Sequence, residues 1–209
     1  FMTKSKILGV VLAGGLSRRM EGGKKFLKKI DNTPIIDLVI KKVTNQVDEL
    51  IINANENKNS YLKKFNVPIV PDIIKGFKGP LVGILSGMMW AKKQKRNFNY
   101  LATFPCDAPF FPEKLVKKLI DETKKNNFDI VIPRYKDQNH PVFGIWSLDL
   151  IDSLKKYLLD EDLKKIDTWI FRNKYKILNF KDLKYDPFFN INTVQELSKA
   201  NSISLEFDI

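Results

Sequence analysis

Four stretches of the chain hold residue types that could act on an anionic ligand. The first is Ala13-Gly14-Gly15, followed by Ser17, Arg18 and Arg19, a second glycine pair at Gly22-Gly23, and Lys24-Lys25. Glycine turns the backbone sharply and lets a ligand come close, because no Cβ intervenes. Backbone N–H groups in such a loop can converge on phosphate oxygens, and nearby cations offset the charge. Two of the chain's five arginines fall here, and their planar forks match phosphate oxygens. The second stretch is split: Asn53 and Asp72 each follow a short apolar run. The third is Pro105-Cys106-Asp107-Ala108-Pro109, an acidic residue held between prolines. Mg²⁺ takes one or two protein carboxylates and completes its shell with phosphate oxygens and water, so Asp107 suits it. The fourth is Asn190-Ile191-Asn192, whose two amides leave the same face of an extended segment.

Other chemistries find less support. Gly15 lacks the downstream Gly-Lys of a P-loop, and no dinucleotide-binding glycine fingerprint is present. No serine–histidine or cysteine–histidine pair points to an acyl-enzyme route. Cys106 reads as a small buried neighbour of Asp107.

The elements that must position these groups alternate. Ile7–Leu12 is an apolar, β-branched run suited to a parallel strand buried on both faces. Thr33-Pro34 is expected to open a helix, Thr33 as N-cap and Pro34 in the first turn, ending near Asn45. Strands are expected over 49–53, 67–70, 100–104, 129–134, 142–146 and 175–180. Helices are expected over 59–65, after Gly79-Pro80, and over 112–123, 148–159, 163–171 and 194–200. Phe188–Thr193 reads as a strand leading into the last helix, with Thr193 and Glu196 forming a capping box. This alternation argues for a three-layer α/β/α fold with a mostly parallel central sheet and right-handed crossovers. Ligands of such sheets bind beyond the carboxyl ends of the strands, where Gly14-Gly15, Asn53 and Asp72 stand.

The chain has 209 residues, a formal charge of +12, one cysteine and one histidine. No linker divides it, so a single domain over 1–209 is expected. A lone cysteine forbids an internal disulfide and fits the reducing cytoplasm. No membrane-length apolar run and no secretion signal are apparent. The positive charge is mostly lysine pairs at helix ends, which read as solvated faces; no nucleic-acid-binding motif accompanies them, and no nucleic-acid partner is expected.

The run Leu12-Ala13-Gly14-Gly15, Ser17-Arg18-Arg19-Met20, Gly22-Gly23 and Lys25 resembles the signature of Rossmann-like nucleotidyltransferases, and among them the molybdenum cofactor guanylyltransferases. Gly79-Pro80-Leu81-x-Gly83 and Pro105-Cys106-Asp107-x-Pro109 match later motifs of that family. The resemblance implies transfer of GMP from GTP to molybdopterin with release of pyrophosphate. It implies Leu12, Ala13, Gly14, Gly15, Lys25, Asn53, Asp72, Gly79, Pro80, Leu81 and Asp107 as nucleotide contacts, with Asp107 on Mg²⁺. Arg19, Lys25 and Asp107 take the catalytic roles. Arg134, His140, Asn190 and Asn192 fall on the acceptor side, and a molybdoenzyme or its chaperone would receive the product from a monomer or weak oligomer. Asp72 can serve either the guanine N–H groups or the ribose. Two positions depart from the pattern: Lys24 replaces an aspartate, and Glu56 stands where a cation is frequent. A CTP- or sugar-phosphate-using relative, or a non-catalytic nucleotide-binding accessory protein, remains a competing reading.

Overall fold

The computed structural model describes residues 5–14, 25–55, 60–76, 79–94, 96–160, 165–181 and 183–207. In chain order, β1 is Ile7–Leu12, β2 Lys29–Ile30, β3 Thr33–Pro34, α1 Ile35–Thr44, β4 Glu49–Asn53, α2 Ser60–Lys63 and β5 Ile69–Val70. Next come α3 Pro80–Lys93, β6 Tyr100–Pro105, α4 Leu115–Asn126, β7 Ile130–Tyr135, β8 Gln138–Asn139 and β9 Ile145–Ser147. The rest are α5 Ile151–Asp160, α6 Ile166–Ile170, β10 Tyr175–Phe180 and α7 Val194–Phe207.

The central sheet has the order β10-β7-β9-β6-β1-β4-β5, with short β8 paired to β7. Strand β9 alone in that order runs antiparallel to its neighbours, so the sheet is mixed but mostly parallel. The period-2 alternation of strands divides the core into two layers. Ile7 and Val11 of β1 join α1, α4 and α7 on one face; Leu8 and Val10 join α3, α5 and α6 on the other. The α/β/α layering follows directly from strands that are apolar on both sides.

Some elements are shorter or shifted, such as the strands expected over 142–146 and 67–70, which lie at Ile145–Ser147 and Ile69–Val70; three further expectations need correction. Thr33 does not cap a helix. Asp31 and Asn32 take left-handed backbone, φ 44° and 62°, and make a two-residue turn that folds β3 onto β2. Asp and Asn tolerate that region, and two such residues in succession suit a tight hairpin. Helix α1 therefore starts at Ile35, after an extended Pro34 that offers no side-chain cap. Residues 188–193 form no strand among the described elements. Helix α7 runs on to Phe207, where the sequence reading stopped it at Ala200. Asn201 and Ser202 bond back to the carbonyls of Leu197 and Ser198, and Ile203 and Ser204 are buried. The Thr193–Glu196 capping box is present: Glu196 Oε2 accepts from the Thr193 amide at 2.8 Å, and the Glu196 amide donates to Thr193 Oγ1 at 3.2 Å.

Candidate active site

The strand register sets the site. Leu12, the last residue of β1, is level with Asn53 at the end of β4 and with Pro105 at the end of β6. Three loops thus leave neighbouring parallel strands side by side, about 4.8 Å apart. The Ala13 amide donates to Asn53 O at 2.9 Å, and the Cys106 amide donates to Leu12 O at 3.2 Å. Ala13-Gly14 is held between Asn53 on one side and Cys106-Asp107 on the other. Strand order reverses about β1, the place where open α/β sheets leave a crevice.

On the β4 side, Asn53 is 3% exposed. Its Nδ2 donates to Val70 O at 3.1 Å and to Asp72 Oδ1 at 2.9 Å. Both amide hydrogens face acceptors, which fixes the orientation of the group and leaves its Oδ1 as the acceptor that points away. Asn55 Nδ2 donates to Asp72 Oδ2 at 2.6 Å, and Asn55 Oδ1 accepts from the Asp72 amide at 2.8 Å. Each carboxylate oxygen of Asp72 therefore takes one amide hydrogen and keeps lone-pair capacity for another. A cleft of about 240 Å³ opens beside Asp72, lined by Asn55, Pro71, Ile74, Lys75 and Gly76. A Cβ on Gly14 would lie 3.5 Å from Asn53 Oδ1 and 3.7 Å from Asp72 Oδ2, so this glycine borders the same group of acceptors.

Helix α3 closes that side. Gly79 takes φ 122°, a backbone that side-chain-bearing residues rarely adopt, and Pro80 opens the helix behind it. Leu81 is buried in the core, so its side chain packs and its backbone is what a base could meet. A Cβ on Gly83 would lie 2.5 Å from Asn53 Oδ1 and 2.7 Å from Leu12 Cδ2. The second glycine of Gly-Pro-Leu-x-Gly is thus where the helix passes against Asn53. Ser86 ties the Asp72 loop down: its Oγ accepts from the Ile73 amide at 2.9 Å and donates to Val82 O at 2.7 Å.

On the β6 side, Asp107 is partly buried, and its carbonyl accepts the Ile191 amide at 2.9 Å. That bond brings Asn190 and Asn192 beside Asp107. Asn190 is exposed; Asn192 is half-buried, and its amide donates to Glu196 Oε2 at 2.7 Å. Arg134 lies near the end of β7, its Nε donating to Asn139 Oδ1 at 2.7 Å. The His140 ring packs on Phe188 with centroids 4.8 Å apart, linking the β7–β9 connection to the 188–192 segment. Its Nε2 is buried with no hydrogen-bond partner among the described residues. Burial pushes the imidazole below the ordinary histidine range, and the Asp186 charge pulls the other way. The Cys106 thiol is half-buried, not fully enclosed.

Gly15, Ser17, Arg18, Arg19, Gly22, Gly23, Lys24 and Glu56 lie outside the described residues, as does the side chain of Lys25, whose backbone begins the short turn Lys25–Leu27. The structure brings Leu12, Ala13, Gly14, Asn53, Asp72 and the Gly79–Gly83 segment together, with Asp107 and the 190–192 segment across the β1 loop. Asn55 was missed by sequence reasoning as a site residue. Its signal was its place two residues beyond Asn53, one side-chain period along an extended chain. No group of three or more metal-binding side chains is gathered among the described residues. Asp107, just beyond the end of β6, offers one carboxylate, a number compatible with a cation such as Mg²⁺ that completes its shell with phosphate oxygens and water.

The MobA-like NTP transferase domain family matches residues 9–174. Molybdenum cofactor guanylyltransferases of Nitrobacter hamburgensis and Rhodopseudomonas palustris are 33% and 34% identical over 196 residues, covering 94% of this chain and 93% of each relative. The crystal structure of molybdopterin-guanine dinucleotide biosynthesis protein A from Archaeoglobus fulgidus superposes with a TM-score of 0.77 at 24% identity, covering 96% of this chain and all of that one.

Proposed function

This chain belongs to the MobA-like NTP transferase family, and from that premise we propose that it transfers GMP from GTP to the phosphate of molybdopterin, releasing pyrophosphate. The enzyme is a nucleotidyltransferase of the molybdenum cofactor guanylyltransferase kind. The observation that carries the guanine reading is the run of acceptors on the β4 side. Asn53 offers Oδ1, and Asp72 offers the remaining lone pairs of a carboxylate already fixed by two amides. Guanine presents adjacent donors at N1 and N2, which such a surface can take; cytosine presents one donor beside acceptors.

The reaction asks for positioning and charge stabilisation rather than a covalent protein intermediate. An oxygen of the acceptor phosphate attacks the α-phosphorus, a new P–O bond forms, and the bond to the bridging oxygen of pyrophosphate breaks. Asp107 would hold Mg²⁺, which when bound supplies neutralisation of phosphate charge. Leu12, Ala13, Gly14, Gly15, Gly79, Pro80 and Leu81 would frame the nucleotide through backbone and small side chains. Arg19 and Lys25 would offset charge on the triphosphate. Arg134, His140, Asn190 and Asn192 would meet the molybdopterin, with Asn190 and Asn192 set beside Asp107 by the Ile191 amide. The use of GTP points to work in the cytoplasm, with a molybdoenzyme or its chaperone as recipient of the product.

The test is pyrophosphate release from GTP, CTP, ATP and UTP in the presence of molybdopterin and Mg²⁺. Release with GTP is expected. Release with CTP alone would reject the guanylyl reading, and GTP binding without turnover would make the chain a non-catalytic accessory protein.

A further inference from the structure

Asn55 is exposed at the loop after β4, yet both ends of its amide are committed to one residue. Its Nδ2 holds one carboxylate oxygen of Asp72 and its Oδ1 holds the Asp72 backbone amide. Asn53, from the strand itself, holds the other carboxylate oxygen. An exposed amide gains little fold stability from such bonds, because water would satisfy the same groups. What the pair does achieve is geometric. A free aspartate rotates about two side-chain bonds; one clamped at both oxygens and at its own N–H presents its remaining lone pairs in one direction. Asp72 lines the cleft together with Lys75, and its Oδ2 lies 3.7 Å from where a Cβ on Gly14 would stand, so the cleft and the β1 loop both border the clamped carboxylate.

We propose that Asn55 is a positioning residue for nucleotide recognition: it locks the Asp72 carboxylate so that its free lone pairs meet a pair of adjacent donor hydrogens on the nucleoside. Guanine N1–H with N2–H and the ribose diol share that donor-pair chemistry. The inference rests on the GTP reading above. Asn55→Ala removes the clamp and leaves Asp72 to rotate. Asn55→Asp keeps an acceptor for the Asp72 amide but replaces the donor with a second carboxylate, and two carboxylates at that separation cannot both ionise without cost. One proton shared between them restores a hydrogen bond, so the defect of this variant lessens on acidification.

The experiment is GTP affinity by titration calorimetry, on the full chain with Mg²⁺, between pH 8 and pH 5.5. The parent, Asn55→Ala and Asn55→Asp are compared, with melting temperatures as the fold check. Asn55→Ala is expected to weaken GTP about tenfold, the scale of one hydrogen bond to a charged group. Asn55→Asp is expected to weaken it more at pH 8 and to recover most of that loss by pH 5.5, while the parent changes far less. ITP, which lacks the 2-amino group, and 2′-deoxy-GTP identify the donors: the analogue whose binding no longer responds to Asn55→Ala is the one that lacks the donor Asp72 accepts. A parent that binds GTP while both variants bind it equally well, at every pH, overturns the positioning role alone. A parent that binds no GTP overturns the GTP reading and this inference with it.

Discussion

The two sides of the β1 loop are built by different forces. On the β4 side, Asn53, Asn55 and Asp72 hold one another through three hydrogen bonds between 2.6 and 2.9 Å, a fourth ties Asn53 to Val70 O at 3.1 Å, and α3 packs down on Asn53 at Gly83. On the β6 side, aromatic packing does the positioning. Phe188 lies against His140, Phe143 and Phe180, with ring centroids 4.8, 5.1 and 5.4 Å apart. Beyond Phe188 the chain reaches Asp107 through a backbone hydrogen bond from Ile191, and Asn190 is exposed. Hydrogen bonds fix direction, which a base or ribose requires. Rings fix depth, and beyond them the segment is held by bonds from the backbone amides of Ile191 to Asp107 and of Asn192 to Glu196, with the Asn190 side chain left to solvent.

Breaking each side separately sharpens that contrast. The largest effect is expected at Asp107. Asp107→Ala should lower the pyrophosphate release rate about 10³-fold or more, since charge stabilisation of the phosphates is lost, with the melting temperature within a few degrees of the parent. Phe188→Ala removes a ring fully inside the packing and should cost about 3–5 kcal/mol in urea unfolding. At temperatures where this variant stays folded, GTP affinity should hold while saturation by molybdopterin is lost; equal damage to both would dissolve the distinction between the sides.

Gly83→Ala comes next. Its methyl group meets Asn53 and Leu12 at distances that demand a shift, so about 1–3 kcal/mol of stability should go, together with GTP affinity. Gly14→Ala is the control, because its Cβ meets neighbours at ordinary contact distances; denaturation midpoints compare the two directly. The smallest effect concerns pH. Burial keeps His140 below its usual pKa, so the neutral form is the one the fold accommodates. Stability from this group is present above about pH 6.5, where the unfolded chain is also neutral, and is lost as pH falls toward the depressed folded value. Urea midpoints should decline on acidification from that point, and His140→Phe, which keeps the ring on Phe188, should flatten the decline. An unchanged slope would show that His140 is not the group responsible.

Much of the fold was legible because apolar runs and punctuation agree. Ile7–Leu12, Glu49–Asn53 and Tyr175–Phe180 match the expected strands at both ends. Leu115, Val116, Leu119 and Ile120 line the buried face of α4 as their spacing demanded. The misses share a cause: local signals were read without their partners. Thr33-Pro34 carries the letters of a helix start, but Ile30 across the Asp31-Asn32 turn claims Thr33 for a hairpin. Asn201 and Ser202 are weak helix formers, and α7 continues through them because Ile203 and Ser204 are buried and Asn201 Oδ1 accepts the Asp31 amide at 3.0 Å. In the site, Gly14, Asn53, Asp72 and Asp107 were readable as residues at or just beyond strand ends. Asn55 was not, since an asparagine two residues beyond a strand reads as an ordinary turn residue until Asp72, two residues beyond β5, is brought against it.

The sequence by itself determined the layered α/β architecture and the residue types that stand where β1, β4 and β6 end, Gly14, Asn53 and Asp107 among them. Residue type and spacing carry those properties without reference to distant segments. The tertiary structure alone decided which amides clamp Asp72, why Gly83 must lack a side chain and how residues 190–192 come to lie beside Asp107. Those facts depend on strand register and helix approach, which bring together groups 17 to 84 positions apart that no local pattern can pair.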